Sequence, residues 1–151
     1  MSGRSARFRI RSSMVSQDQD PLPRRIQLRT GSAFEDRAAY SRALRVGNRI
    51  LVSGTADIGP DGVPLHEGEY DQAVAAIALA LDAIRRLGGR ADDVVRTRVL
   101  LAADADWEGP VRAHGEAFAD INPVNTTLYV HGFIPPGVLV EVELEAEIQP
   151  S

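Results

Sequence analysis

The stretch Gly137-Val138-Leu139-Val140-Glu141-Val142-Glu143-Leu144-Glu145-Ala146-Glu147-Ile148 decides how this chain is built. Val138, Val140, Val142, Leu144, Ala146 and Ile148 alternate with Leu139, Glu141, Glu143, Glu145 and Glu147. Successive side chains on a strand point to opposite faces, so the pattern predicts a strand with one apolar face and four carboxylates on the other. Burying a large apolar residue contributes about 1.5–3 kcal/mol, and a slip of one residue would exchange the faces, so the register is strongly set. Like charges side by side on one strand repel, which calls for cations, water or a partner surface over the glutamates.

The rest of the chain bounds what surrounds that strand. Its 151 residues suffice for one domain with a proper core, and 44% hydrophobic with 25% charged residues is the balance of an ordinary globular protein. A net charge of -4 argues against a general nucleic-acid-binding surface. With no cysteine there is no disulfide, thiolate metal site or cysteine nucleophile. His66, His114 and His131 lie far apart and form no H-x-x-x-H pair, so neither a metal site nor a cofactor is indicated. No apolar run approaches the roughly 18–20 residues that span a bilayer. Arg4, Arg7, Arg9 and Arg11 have no apolar segment behind them and do not form a secretory signal. No membrane partner is expected, and the simplest location is the cytoplasm.

Taken in order, residues 1–23 are rich in Arg, Ser, Gln and Asp and read as a flexible leader, with Met14 an alternative start; residues 24–149 read as the folded domain. Arg24 to Arg29 offers a short strand, and Gly31 to Asp36 a polar loop with one aromatic, Phe34. Ser41–Val46 and Arg49–Ser53 flank Gly47-Asn48, a pair suited to the positive φ of a two-residue hairpin turn. Glu69 to Leu87 has helical spacing, with Val74, Ile77, Leu81, Ile84 and Gly88 as the expected buried stripe and alanines along its flank. Val94 to Leu101 follows as a strand with Val95, Thr97 and Val99 on one face and Arg96 and Arg98 on the other. Asp106 is the expected N-cap of a helix from Trp107 to Ile121, whose inner face would hold Trp107, Val111, His114, Phe118 and Ile121. His114 there reads as a hydrogen-bonded core histidine. Thr126 to Val130 is a further strand before the closing one.

The order β-ββ-α-β-α-ββ predicts an α+β domain, a mixed sheet covered on one face by two helices. The charged face left open calls for a partner, and a homo-oligomer is a natural solution.

Six segments in sequence resemble the Rid family, also called YjgF-type. They are Tyr40-Ser41-Arg42-Ala43, Val52-Ser53-Gly54-Thr55, Asp93-Val94-Val95-Arg96-Thr97-Arg98, His114-Gly115-Glu116-Ala117-Phe118, Asn122-Pro123 and Leu139-Val140-Glu141-Val142-Glu143. The resemblance implies a chorismate-mutase-like fold assembled as a homotrimer, with small-molecule pockets between subunits. In the family's best-characterised branch the pocket deaminates reactive enamines and imines. An arginine there clamps the substrate carboxylate, and a glutamate on the last strand positions or activates water. Carried over by motif, Glu141 matches the catalytic glutamate, while Tyr40, Ser53 and Gly54 match the pocket wall. The arginine normally follows a Pro-Ala pair, but here Pro123-Val124 is followed by Asn125, with Thr127 beyond it. A neutral amide replaces neither the charge nor the fork geometry of a guanidinium. The chain thus resembles arginine-lacking branches, in which Asn125 and Thr127 hydrogen-bond a neutral polar ligand, or in which Arg42, Arg45 or Arg98 supplies a cation from elsewhere.

Three functions compete. One is hydrolysis of an imine or enamine with Glu141 as general base. Another is a non-catalytic trimer that binds a small metabolite in the same pocket. Ribonuclease activity, described for some family members, fits poorly with the negative charge, the few aromatic residues and the unpaired histidines.

Overall fold

The computed structural model describes residues 24–149. The flexible leader at 1–23 and the alternative start at Met14 lie outside the described residues. The alternating stretch forms strand β6, Val140–Glu147, with Val140, Val142, Leu144 and Ala146 buried and Glu141, Glu143 and Glu145 half-buried on the opposite face. Ahead of it come β1 (Arg25–Leu28), α1 (Ala33–Arg37), β2 (Ala43–Val46), β3 (Arg49–Thr55), α2 (Glu69–Arg86), β4 (Val94–Ala102), α3 (Glu108–Phe118) and β5 (Val124–Val130). The strands make one sheet in the order β1-β2-β3-β6-β4-β5. Only β4 and β5 run parallel; every other neighbouring pair is antiparallel. The last strand to be made thus enters the middle of the sheet, between β3 and β4, and that position explains why its apolar face is so completely covered.

The hairpin forms as the Gly47-Asn48 pair predicts, with Val46 opposite Arg49 and Ala43 opposite Val52. Only Gly47 uses a positive φ, +62°, which matches the turn class that needs glycine first. β3 supplies Ile50 and Val52 to the core and turns Leu51 to the open face.

Helix α2 is rotated from the expected stripe. Its buried residues are Gln72, Ala73, Ala76, Ile77, Ala80, Ala83 and Ile84, whereas Val74 is 43% exposed, Leu81 only partly buried and Gly88 beyond the helix. Small alanine side chains let the backbone lie close on the sheet, so the ladder read as a flank is the contact line itself. Gln72 is buried because it is fully used: its Nε2 donates to the carbonyls of His66 and Gly137, and its Oε1 accepts from the Leu139 N–H at 2.8 Å.

Three further expectations change. Val95 faces out and Val94 in, because the β4–β6 register shifts between Val94 and Arg96; from Thr97 onward the alternation holds, with Val99 and Leu101 buried. Trp107 and Val111 are exposed; of the expected face Phe118 is buried, joined by Pro110 and Ala113. The N-cap position falls to Trp107, which makes no side-chain cap, rather than to Asp106; Asp106 Oδ1 still accepts from the Glu108 N–H at 3.1 Å. Finally, the polar loop holds a short helix, α1, making three helices rather than two. Ser32 caps it, and the fully covered Glu35 accepts N–H bonds from Thr30 and Gly31 and the Thr30 hydroxyl. Burial by its own loop pushes the Glu35 carboxyl up, but these hydrogen bonds outweigh it and hold the group below the ordinary value.

Candidate functional site

The sheet face away from α2 and α3 carries the charged side chains. Across it, β6 pairs with β4 so that Glu143 lies opposite Arg98 and Glu145 opposite Arg96, while Glu141 lies opposite Leu100. The next strand continues that last row with Leu128. Three of the four carboxylates find partners. Arg98 donates to Glu143 at 2.8 Å, Arg49 to Glu145 at 2.6 Å, and the Asn48 amide to Glu147 at 3.2 Å. Glu141 makes no hydrogen bond and no salt bridge among the described residues, although it is half-buried. Burial pushes its carboxyl up, the Glu143 charge adds to that, and Arg42 pulls the other way.

Glu141 is held by shape. A Cβ on Gly54 would sit 1.9 Å from Glu141 Oε1 and 2.8 Å from its carboxyl carbon, so only glycine leaves room for this carboxylate beside β3. The Gly54 carbonyl accepts from Arg42 Nη1 at 2.8 Å, and Thr55 Oγ1 accepts from the same nitrogen at 3.1 Å. Arg42 is thereby pinned beside Glu141 without forming an ion pair with it. Of the other two arginines considered, Arg98 is engaged by Glu143, and Arg45 ties the hairpin to the end of α2 through the Gly47 and Leu87 carbonyls, both at 2.8 Å.

Tyr40 and Ser53 line a groove of about 420 Å³ on the same face, together with Arg25, Gln27, Arg96 and Arg98. Ser53 Oγ donates to the Arg42 carbonyl at 3.1 Å, which fixes the corner between the hairpin and Gly54. Asn125 and Thr127 go elsewhere. They project from β5 on the helix side of the sheet, where Asn125 Nδ2 donates to Thr97 Oγ1 at 2.9 Å and Thr127 Oγ1 donates to Asn125 Oδ1 at 2.9 Å. Thr97 Oγ1 in turn lies 2.8 Å from His114 Nε2. Within one chain Tyr40 and Ser53 line the groove, Gly54 meets Glu141 at the neighbouring corner outside that lining, and Asn125 with Thr127 lie on the other side of the sheet.

Thr97 escaped the sequence reading as a site residue, and its signal was present: a hydroxyl among valines on a strand that is otherwise apolar inward. The sequence alone offers Arg42 only as one cation among three; the proximity that separates it from the others comes from the β3 corner, which no local pattern displays. Among the described residues no group of three or more His, Asp or Glu side chains converges as a metal site would require, and no helix is long and apolar enough to cross a membrane.

Residues 30–148 match the sequence profile of a family described as Endoribonuclease L-PSP. An uncharacterized protein of Streptomyces coelicolor is 40% identical over 123 residues, which cover 82% of this chain and 90% of that protein. A RutC family protein of Pyrococcus abyssi is 29% identical over 105 residues, 69% of this chain and 82% of its own. Among solved structures, a member of the YjgF/YER057c/UK114 family from Mycobacterium tuberculosis superposes with a TM-score of 0.75 at 33% identity, covering 83% of this chain and 100% of the other.

Proposed function

The chain belongs to the endoribonuclease L-PSP family, the YjgF/RutC group, and from that premise we propose that it works as a homotrimer on small metabolites held between subunits, hydrolysing imines or enamines with Glu141 as the base. The observation that carries this reading is that Glu141 alone of the four β6 carboxylates is left without a partner, seated on a glycine that exists to admit it. A structural carboxylate in that row pairs with an arginine or an amide. One kept unpaired and half-buried has its lone pairs and a raised proton affinity available to a ligand or a water.

Glu141 accepts a proton from water as the oxygen attacks the imine carbon and delivers that proton to the imine nitrogen, giving a neutral carbinolamine. The same carboxylate then takes the hydroxyl proton as the carbonyl forms and passes it to the nitrogen, so that the C–N bond breaks, ammonia leaves and the carboxylate is regenerated. Tyr40 and Ser53 bound the pocket from the same subunit, and Asn125 with Thr127 from the neighbouring one, since the two sets lie on opposite sides of one sheet. The cytoplasm is the location in which this chemistry is expected.

A second reading, binding without turnover, is favoured by one observation: Asn125 stands where the resemblance calls for the arginine that clamps a carboxylate. Freshly generated imine separates the two readings. Accelerated ammonia release that falls about 10²–10⁴-fold in Glu141→Gln supports the base role. Release no faster than buffer for every imine tried, with saturable binding retained, leaves only the binding protein.

A further inference from the structure

The hydrogen bonds that run from α3 to the sheet edge are not required by the function proposed above. Thr97 is 1% exposed and sits on the inner face of β4 between Val94 and Val99. Valine has nearly its shape and would fill that place without a hydroxyl, whose burial costs about 1–3 kcal/mol unless it is hydrogen-bonded. Here the hydroxyl is used twice, by Asn125 Nδ2 at 2.9 Å and by His114 Nε2 at 2.8 Å. A hydroxyl has one proton. With Asn125 donating into one lone pair of the oxygen, His114 Nε2 is the acceptor within reach of that buried proton, an arrangement that requires Nε2 to be the bare nitrogen of a neutral ring. Burial between α3 and the sheet, with Phe118 at 4.8 Å, holds the histidine pKa down and favours that form.

At the far end, Thr127 Oγ1 donates to Asn125 Oδ1. Both ends of the Asn125 amide are therefore tied, and its orientation is fixed while the side chain itself stays exposed on the edge strand. One Nδ2 proton and one Oδ1 lone pair remain, in one plane and without charge.

We propose that His114 and Thr97 are positioning residues that lock Asn125 as a neutral donor–acceptor pair, so that the group recognised at β5 is an uncharged carboxamide rather than a carboxylate. The proposal rests on the reading of Asn125 as part of the ligand pocket. A carboxamide presents one donor and one acceptor and meets both free valences of the locked amide. A carboxylate presents acceptors only, so it leaves the Nδ2 proton one partner and sets its charge against Oδ1.

The test is a titration of the full chain with 2-oxobutanamide and 2-oxobutanoate, which differ in charge and in one donor. Binding is followed by NMR at the Asn125 side-chain amide and the His114 ring nitrogens. The amide should bind about tenfold more tightly, the size of one well-made hydrogen bond. His114 Nε2 should resonate as an unprotonated nitrogen. Thr97→Ser should keep the preference and Thr97→Val should erase it. Asn125 is exposed, so Asn125→Arg leaves folding out of the question and should reverse the preference. Equal or tighter binding of the carboxylate, no binding of either probe, or an unreversed preference in Asn125→Arg overturns the proposal. The same titration in Glu141→Gln separates this outcome from the fate of the hydrolytic reading: a preference that survives there stands without any turnover.

Discussion

Burial and the Glu143 charge both push the Glu141 carboxyl above the ordinary 4.5, and Arg42 offsets them only in part. A carboxylate whose folded pKa exceeds its unfolded one binds its proton more tightly in the native state, so stability falls as pH rises from about 4.5 through the folded value. At neutral pH the charged group is therefore a strain on the fold that a neutral isostere removes. Glu141→Gln should raise Tm at pH 7 relative to the parent and lose that advantage near pH 4, while its turnover is lost. A Tm that drops at pH 7 would mean that the carboxylate is a structural partner after all. Gly54→Ala probes the same corner from the other strand. The new Cβ meets the end of a flexible side chain rather than backbone, so the fold should tolerate it. The carboxyl group must move by more than an ångström, which should lower turnover about 100-fold with Tm little changed. Unchanged turnover in that variant would detach Glu141 from the chemistry. At this scale the sequence showed Glu141 through its motif, but the row of paired neighbours that sets it apart depends on β4 and β3 lying on either side of β6, which only the topology supplies.

Helix α2 shows how an element can be legible while its facing is not. Its ends were plain, with Glu69 and Asp71 in the first turn and Arg85 and Arg86 in the last, complementing the helix dipole. Of the apolar spacing, Ile77 and Ile84 are buried but Val74 and Leu81 are displaced from the contact line, because hydrophobicity scales weight large side chains while close helix–sheet contact selects small ones. Ala76 and Ala80 are fully buried, and Val74 is not. Ala80→Leu should consequently destabilise by about 1–3 kcal/mol through overpacking, whereas Val74→Ala should stay within about 0.5 kcal/mol. Denaturant unfolding of the two variants decides it, and the reverse order would restore the valine stripe. Helix α3 repeats the lesson with Trp107, a residue whose size marks it for the core and which stands half exposed. The strands fared better, since a period of two leaves only two facings; the exception, Val95, lies at a register shift that has no sequence mark.

At the scale of the whole sheet, and among the described residues, one side is roofed by α2 and α3 and the other carries no helix from either of them. That second side is not simply a solvated surface: Leu51 and Leu128 stand on it at 36% and 39% exposure, beside the Arg98–Glu143 and Arg49–Glu145 pairs. Interspersed apolar and paired charged groups are what a protein–protein interface offers, and β5 leaves an edge that another chain can cover. The alternation at Gly137–Ile148 already calls for such a cover, and under the proposed function the placement of Asn125 and Glu141 on opposite sides of one sheet gives the same demand a functional cause. One subunit cannot close a pocket around both. If assembly completes the site, then damage to that second face far from Glu141 must disable it. Leu128→Asp places a charge in the row that Glu141 and Leu100 share, two strands away from the carboxylate. The parent should sediment as three chains and the variant as one, with imine hydrolysis and ligand binding lost together although every predicted site residue is intact. A parent that is active as a single chain, or a dissociated variant that keeps its ligand, would place the whole site within one subunit and leave Asn125 outside it.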